Sequence, residues 1–394
     1  MEPTSRLEPT HLDSVPEATS NLIADLVSAA STLGQSLAPE TADSLANVVR
    51  VMNCYYSNLI EGHNTRLKEI EQALQRDLAA EPEKRSLQLE AMAHIRVQER
   101  IDNAHAGGTL PEPASVDFIR NLHRDFYESA TPEMLRVGHL QMEPGEMRSR
   151  TGEDSAVGLH QPPSSDRVAA FMTYFEERYR FAGKGQASRL LYMAIAHHRL
   201  NYIHPFLDGN GRVSRLMSHA MGLHAGIGAR GLWSISRGLA RGLSDRGEYR
   251  RMMNHADSPR QGDLDGRGNL SRKATVEFID WFLSVAIDQI RFMSVLFDLG
   301  NLARRYDIYI SGQTKLRPEA ALVVKDILKR GYLARGEVAR VTGMPERSAR
   351  VVTQGLLAQG LVGSNTPKSE LFLRFRHDAI PVLFPDLYNA QATS

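Results

Sequence analysis

The sequence predicts a mainly α protein: a helical bundle with a short β-hairpin, followed by a small basic domain of helices and two strands. Three observations predict it. Apolar residues recur every three or four positions through most of residues 22–305, which is the spacing of one helix face. Strand-like alternation is sparse. Residues 315–376 also differ in charge, with 12 Lys and Arg against 5 Asp and Glu; this surplus of 7 leaves the rest of the chain at −6.

The elements follow in order. Residues 1–21 are rich in Pro, Ser, Thr and Glu and read as a flexible tail. An N-terminal helical region spans 22–110, with a stripe of Leu45, Val48, Met52, Tyr55 and Leu59 that stops at Gly62. A core region spans 111–305. Within it a helix covers Ser115 to Glu128, and the polar stretch Gly145–Ser165 reads as a loop or short hairpin. Asp166 is placed to cap a helix carrying Val168, Phe171, Met172 and Phe175. Helices follow over Ser188–Asn201, Gly211–His224 and, capped by Ser271, Ala274–Arg304. A linker at 306–314 leads to the basic domain at 315–376 and a tail at 377–394.

The chain has 394 residues, enough for two or three domains with sizeable cores. Its single cysteine, Cys54, excludes an intrachain disulfide and a Cys-rich zinc site, and reads as a buried apolar group. A reducing, cytoplasmic setting is expected. The net charge of +1 makes the whole chain no polycation for nucleic acid. No apolar run is long enough to span a bilayer, and the first twenty residues lack the apolar region of a signal peptide.

The chemistry concentrates in His204-Pro205-Phe206-Leu207-Asp208-Gly209-Asn210-Gly211-Arg212, with Arg215 three residues on. Gly209, Asn210 and Gly211 stand before a helix, where free N–H groups and the positive dipole end attract anions. Arg212 and Arg215 share a face and offer forked donors suited to phosphate. Asp208 beside such a cradle suits Mg²⁺, which takes one or two carboxylates plus substrate phosphates. His204 is matched to proton transfer near neutral pH. Phe206 reads as an apolar anchor for the loop. Singly, each feature is common in ordinary turns and solvated faces; within twelve residues, in this order, they read as a nucleotide-phosphate site with a metal and a base.

The run HPFLDGNGRVSR resembles the Fic-family motif HxFx(D/E)GNGRxxR in full, and His197 and Leu200 upstream extend the likeness. The resemblance implies transfer of AMP from ATP to a Ser, Thr or Tyr hydroxyl of a target protein. It makes His204 the general base, Asp208 the Mg²⁺ ligand, Gly209-Asn210-Gly211 the phosphate cradle, and Arg212 and Arg215 the grip on the outer phosphates. Gly211 stands where a phosphate-transferring, Doc-like subfamily has Lys, which favours AMP transfer. Some members remove AMP with the same motif.

Ser57-Asn58-Leu59-Ile60-Glu61-Gly62 is similar to the family's inhibitory motif (S/T)xxxE(G/N), which implies that Glu61 pairs with Arg215 and blocks productive placement of the γ-phosphate; a carboxylate there also repels ATP. Residues Glu146–Leu159 fall where the family has a flap that binds target backbone by strand addition. Tyr249 matches one member of a tyrosine pair near the adenine, with core packing as its alternative role; Glu248 does not match. The acidic run Gly262–Asn269 lacks the register of a calcium loop.

The basic C-terminal domain resembles a winged helix-turn-helix, with the turn at Thr342-Gly343-Met344 and Pro345–Gln359 as recognition helix. Arg347, Arg350 and Gln354 share a face suited to DNA, while Leu356 and Leu357 pack inward. Such domains also bind protein. The leading reading is therefore an autoinhibited adenylyltransferase using ATP and Mg²⁺. The alternatives are a DNA-binding regulator with the Fic core as nucleotide sensor, and an enzyme removing AMP. The family resemblance also allows a homodimer.

Overall fold

A computed structural model describes the chain except residues 1, 64, 151, 155–159, 377 and 389–394. The fold is 60% helix and 4% strand, so the mainly α expectation holds. In chain order the helices are α1 (Glu17–Thr32), α2 (Pro39–Ile60), α3 (Leu67–Leu74), α4 (Pro82–Ala106), α5 (Val116–Phe126), α6 (Val168–Tyr179), α7 (Gln186–Ile203), α8 (Asn210–His224), α9 (Ile235–Arg241), α10 (Glu248–Ala256), α11 (Arg272–Leu296), α12 (Leu299–Ser311), α13 (Ala320–Arg330), α14 (Val338–Thr342), α15 (Glu346–Ala358) and α16 (Ile380–Leu383). Strands β1 (Arg136–Val137) and β2 (Leu140–Gln141) form a hairpin; β3 (Tyr332–Leu333), β4 (Val362–Gly363) and β5 (Leu371–Leu373) form an antiparallel sheet in the order β3-β5-β4. Residues 1–31, 53–229 and 234–289 make one compact unit; residues 32–52, 230–233 and 290–394 make a second.

The first unit is built on α7 and α8, which pack against each other. Both are buried on nearly every side: Leu190, Ala194, Leu200, Val213, Leu216, Met217 and Ala220 are almost inaccessible. A helix buried all round has no polar stripe to spare, so its polar residues need internal partners. Arg199 shows how this is met. Its Nε donates to the Leu7 carbonyl at 2.9 Å, and Nη2 donates to the Pro9 carbonyl at 3.0 Å and to Thr275 Oγ1 at 3.1 Å.

That arrangement corrects the expected flexible tail. Leu7 and Thr10 are fully buried, Arg6 donates to the Tyr202 hydroxyl at 2.8 Å, and α1 begins at Glu17. The segment is ordered because its carbonyls satisfy a buried guanidinium, a role that composition does not reveal.

Other boundaries shift for local reasons. The hairpin lies at 136–141, ahead of the 145–165 stretch expected as a loop or short hairpin, and turns at Gly138 with φ 61°. Of the expected flap, Thr151 and residues 155–159 lie outside the described residues. Asp166 does not cap α6; the helix is entered through a 3₁₀ turn, Ser165–Arg167. Ser271 does cap α11, its Oγ accepting from Ala274 N at 3.0 Å. The long helix expected to Arg304 breaks at Asp298, whose carboxylate caps a new helix by accepting from Asn301 N at 2.8 Å. The expected linker 306–314 is therefore helical through Ser311.

In the second unit, α13, α14 and α15 precede the two strands expected as a wing, and β3 adds a third strand. Leu356 is buried, with Val352 and Thr353, whereas Leu357 is only half-buried. The expected C-terminal tail packs instead: Ile380, Leu383, Phe384 and Leu387 are buried, and Phe384 meets Phe297 edge-on at 5.9 Å.

Candidate active site

The site lies in the first unit, where α7 ends and α8 begins. His204 closes α7 in a left-handed conformation, φ 51° and ψ 60°, its N–H still bonded to the Leu200 carbonyl at 3.0 Å. A non-glycine residue held there is strained and persists only when its surroundings fix it. Arg148 does the fixing. Its Nε donates to the His204 carbonyl at 2.8 Å and Nη2 to the Ile203 and Pro163 carbonyls at 3.2 and 3.1 Å. Its Nη1 donates to Ser165 Oγ at 3.0 Å and to Asp154 Oδ1 at 3.1 Å, and its backbone N–H donates to the Pro205 carbonyl at 2.8 Å.

The loop is closed from within. Asn210 Oδ1 accepts from Phe206 N and its Nδ2 donates to the Phe206 carbonyl, both at 2.8 Å. Phe206 is the buried anchor the sequence suggested, stacked on His123 at 4.0 Å. His123 Nδ1 accepts from Gly145 N at 2.8 Å, so Nε2 carries the proton and donates to the Asp208 carbonyl at 3.2 Å. Burial pushes the His123 pKa down to about 4, which keeps this tautomer neutral.

Gly209 has φ 80°, and a side chain there would meet the Tyr127 ring at 2.9 Å. Only glycine meets both demands. The Tyr127 hydroxyl donates to Asp208 Oδ2 at 2.9 Å and accepts from Arg212 Nη1 at 3.2 Å. Desolvation within the loop opposes the charge on Asp208, but Arg212, the Gly209 N–H and the Tyr127 hydroxyl together hold the carboxyl below its ordinary range.

Arg212 and Arg215 are both buried. Arg212 Nη2 donates to Glu90 Oε2 at 2.9 Å. Arg215 Nη2 donates to Glu61 Oε1 at 2.5 Å and to the Ser57 carbonyl at 3.3 Å, while Nε donates to Ser57 Oγ at 3.0 Å. Burial disfavours the Glu61 charge, yet Arg215 and then Arg212 pull its pKa below the usual carboxylate value. A side chain at Gly211 would come within 2.6 Å of Glu61 Oε1, so a small residue there is what admits Glu61.

Behind the arginines, Ser218 Oγ donates to the Ser214 carbonyl at 2.8 Å, so His197 Nδ1 donates to Ser218 Oγ at 2.9 Å and Nε2 accepts from the Tyr249 hydroxyl at 2.9 Å. Burial, then Arg215, lowers the His197 pKa to about 3. Tyr249 also stacks on Trp281 at 6.1 Å. These contacts pack Tyr249 behind the arginines.

His204 itself is half-buried, and among the described residues its ring has no hydrogen-bond partner. Burial, then Arg148 and His160, lowers its pKa to about 4, so it is neutral and can accept a proton at pH 7. The structure thus brings together His204, Asp208, Gly209, Asn210, Gly211, Arg212 and Arg215, as their spacing implied, and adds Ser57 and Glu61, which only the family resemblance pointed to. Sequence reading missed Arg148, Tyr127, His123 and Glu90, which hold those residues from elements far away in the chain. In the second unit, Arg347, Arg350 and Gln354 are all exposed on α15, and Arg350 lies 3.4 Å from Glu346.

Among the described residues no three His, Cys, Asp or Glu side chains gather to hold a metal, and no helix is long and apolar enough to cross a membrane.

Comparison with known proteins agrees with this geometry. The Fic/DOC family profile matches residues 113–221. The protein adenylyltransferase Fic of Drosophila grimshawi is 40% identical over 91 residues, and that of Drosophila willistoni 37%; each match covers 23% of this chain and 18% of the relative. The chain therefore spans less than a fifth of those relatives' length. Among solved structures, a Fic family protein from Desulfovibrio desulfuricans aligns with 92% of this chain and 98% of its own, with TM-score 0.52 and 16% identity. A Fic domain containing signaling protein from Bacteroides thetaiotaomicron aligns with 70% and 95%, with TM-score 0.51 and 21% identity. At these identities the two structures speak for the fold.

Proposed function

Because this chain carries a Fic domain matched over residues 113–221, we propose that it is a protein adenylyltransferase, moving AMP from ATP to a Ser, Thr or Tyr hydroxyl of a target protein, with Glu61 as its brake. The observation that carries this reading is the placement of a neutral His204 on a rigid loop that ends in the glycine cradle and the paired Arg212 and Arg215.

The reaction follows from these positions. His204 takes the proton of the target hydroxyl as its oxygen bonds to the α-phosphorus. The bond from that phosphorus to the bridging oxygen breaks, and pyrophosphate leaves with the electron pair. Negative charge grows on the leaving side, where the N–H groups at the start of α8 and the guanidinium groups of Arg212 and Arg215, once released by their carboxylates, would stabilise it. A site fixed beforehand spends little on reorganisation as the charge develops.

Mg²⁺ fits this donor set. Asp208 offers a single hard carboxylate, 52% exposed, beside a phosphate cradle, and Mg²⁺ commonly takes one or two carboxylates and completes its shell with substrate phosphates and water. The ion would supply charge neutralisation on the phosphates. Tyr127 and Arg212 hold the carboxylate in place.

Glu61 occupies the Arg215 guanidinium that a phosphate needs, and its carboxylate repels ATP. Residues 146–159 are the segment proposed to dock the target by strand addition. The test is incubation of the wild type, Glu61→Gly and His204→Ala with α-labelled ATP, Mg²⁺ and cell extract. Label that rises in Glu61→Gly and vanishes in His204→Ala is expected. No label in any of the three would sink the transferase reading in favour of AMP removal or nucleotide sensing.

A second reading concerns α15 alone. The order of α13, α14, α15 and the following strands supports a winged helix-turn-helix, and Arg347, Arg350 and Gln354 are exposed together. We propose that this helix binds DNA. Duplex binding that weakens with salt is the expected result, and no binding at low salt would argue for a protein partner instead.

A further inference from the structure

We infer that Glu90 sets how tightly this site binds nucleotide phosphates: it holds Arg212 and competes for it, as a fixed second acid beside the displaceable Glu61. The inference rests on the reading of residues 204–215 as a nucleotide-phosphate site.

Three features carry it. First, the guanidinium of Arg212 is largely spoken for. Nη2 is bonded to Glu90 at 2.9 Å, and Nη1 is bonded to Tyr127 at 3.2 Å and lies 3.6 Å from Asp208 Oδ2. Only the buried Nε lacks a partner among the described residues. Arginine grips phosphate through paired N–H groups, so a phosphate gains that grip only by weakening the hold of Glu90. Second, the two acids differ in freedom. Glu61 follows the last residue of α2 and its side chain is 31% exposed; Glu90 sits inside the 25-residue α4 and is 13% exposed. A helix end frays at small cost, but the middle of a long packed helix does not. Glu61 can leave, whereas Glu90 stays. Third, the two are linked. Gly62, at φ 85°, turns the chain so that His63 N bonds the Asn58 carbonyl at 2.9 Å. That turn places His63 Nδ1 3.5 Å from Glu90 Oε2 and 3.4 Å from Arg212 Nη2. The segment that blocks Arg215 therefore also meets the Glu90–Arg212 pair.

With Glu61, Glu90 and Asp208 facing Arg212 and Arg215, carboxylates outnumber guanidiniums before a polyanion arrives. Glu90 lowers the affinity for the outer phosphates of ATP even when Glu61 has moved away.

The test is equilibrium binding of ATP and of AMP to the full chain, with AMP as the probe that lacks the outer phosphates. Glu90→Gln should bind ATP roughly tenfold more tightly, the scale of removing one nearby charge at an effective dielectric of about 20 with partial screening, while AMP binding moves little. Glu90→Asp, which keeps the buried charge but draws it back from Arg212, should shift ATP binding the same way by less, and it serves where Glu90→Gln does not fold. In an Arg212→Gln background the gain from Glu90→Gln should disappear, which a merely structural role for Glu90 would not produce. Unchanged or weaker ATP binding in Glu90→Gln, or an equal gain without Arg212, overturns the inference. Binding is read without transfer. Tighter ATP binding with no transfer in any variant therefore sinks only the enzymatic reading, and transfer with unchanged ATP affinity sinks only the role of Glu90.

Discussion

The segment from His204 to Arg215 and the helix Glu346–Ala358 both carry clustered arginines, and they use them in opposite ways. In the first, Arg212 and Arg215 are buried, and both are paired to carboxylates before any ligand arrives. In the second, Arg347 and Arg350 are exposed, and Arg350 has only a loose contact with Glu346, one turn away on the same helix. Buried, paired arginine costs desolvation and returns fixed geometry, as chemistry at a phosphate requires. Exposed arginine keeps its hydration and mobility, which suits attraction to a charged surface and little else. The difference predicts that single substitutions matter far more in the first segment.

The largest expected effect is His204→Ala. Removing the proposed base should lower AMP transfer by roughly a thousandfold. The unfolding midpoint should hardly move, since the ring has no hydrogen-bond partner among the described residues. Transfer assays paired with thermal denaturation check both. A variant that keeps most of its activity would mean that the first segment is not preorganised around this residue.

Arg148→Ala comes next. It leaves the carbonyls of Pro163, Ile203 and His204 without their donor and frees a strained residue to relax. Transfer should fall by about a hundredfold through misplacement of His204. Stability should fall by about 2–4 kcal/mol from the unsatisfied buried groups. Denaturant titration and single-turnover rates separate the two losses. Glu61→Gly should act in the other direction, raising transfer by roughly ten- to a hundredfold, or one to two steps of about 1.4 kcal/mol each.

These residues differ in how visible they were in the sequence. His204, Asp208, Gly209, Arg212 and Arg215 are legible because local geometry demands their spacing: a loop, a cradle and one helix turn. Glu61 is legible only through its likeness to a known motif, since its partner lies 154 positions away. Arg148, Tyr127 and Glu90 leave no local trace, because each acts across the tertiary structure on a residue of another element. The same reason hid the N-terminal segment. Its composition reads as flexible, but its carbonyls satisfy Arg199, and no pattern within the segment announces that partner. Helices α7 and α8 were legible as helices; their burial on all sides was not, since His197, His198 and Arg199 look polar until their partners are known.

The site's histidines give a smaller, graded effect. Burial holds His197 at about 3 and His123 and His204 at about 4, against 6.5 in the unfolded chain. Below pH 6.5 the unfolded chain therefore binds more protons than the folded one, so stability is lost as pH falls from about 6.5 toward 4. Transfer by Glu61→Gly should stay level from pH 7 to about 5, because His204 remains neutral there. Denaturation midpoints and initial rates across that range test the pair of expectations. A rate falling with a midpoint near 6.5 would place His204 in a more solvated setting than its position under Arg148 implies.

The smallest effect per residue belongs to the exposed helix. Arg347→Ala and Arg350→Ala should each weaken duplex binding about equally for all sequences if they meet phosphates, and each should reduce the slope of log affinity against log salt by about 1. Neither belongs to the segment from His204 to Arg215, so AMP transfer should be unchanged in both. Gln354→Ala should differ in kind: an amide that reads an adenine edge changes which sequence is preferred, with little effect on the salt slope. If all three substitutions leave duplex binding intact, or if the parent binds none at low salt, the exposed arginines serve a protein surface. The comparison would then rest on burial alone: paired arginines for chemistry, and hydrated arginines for an acidic partner.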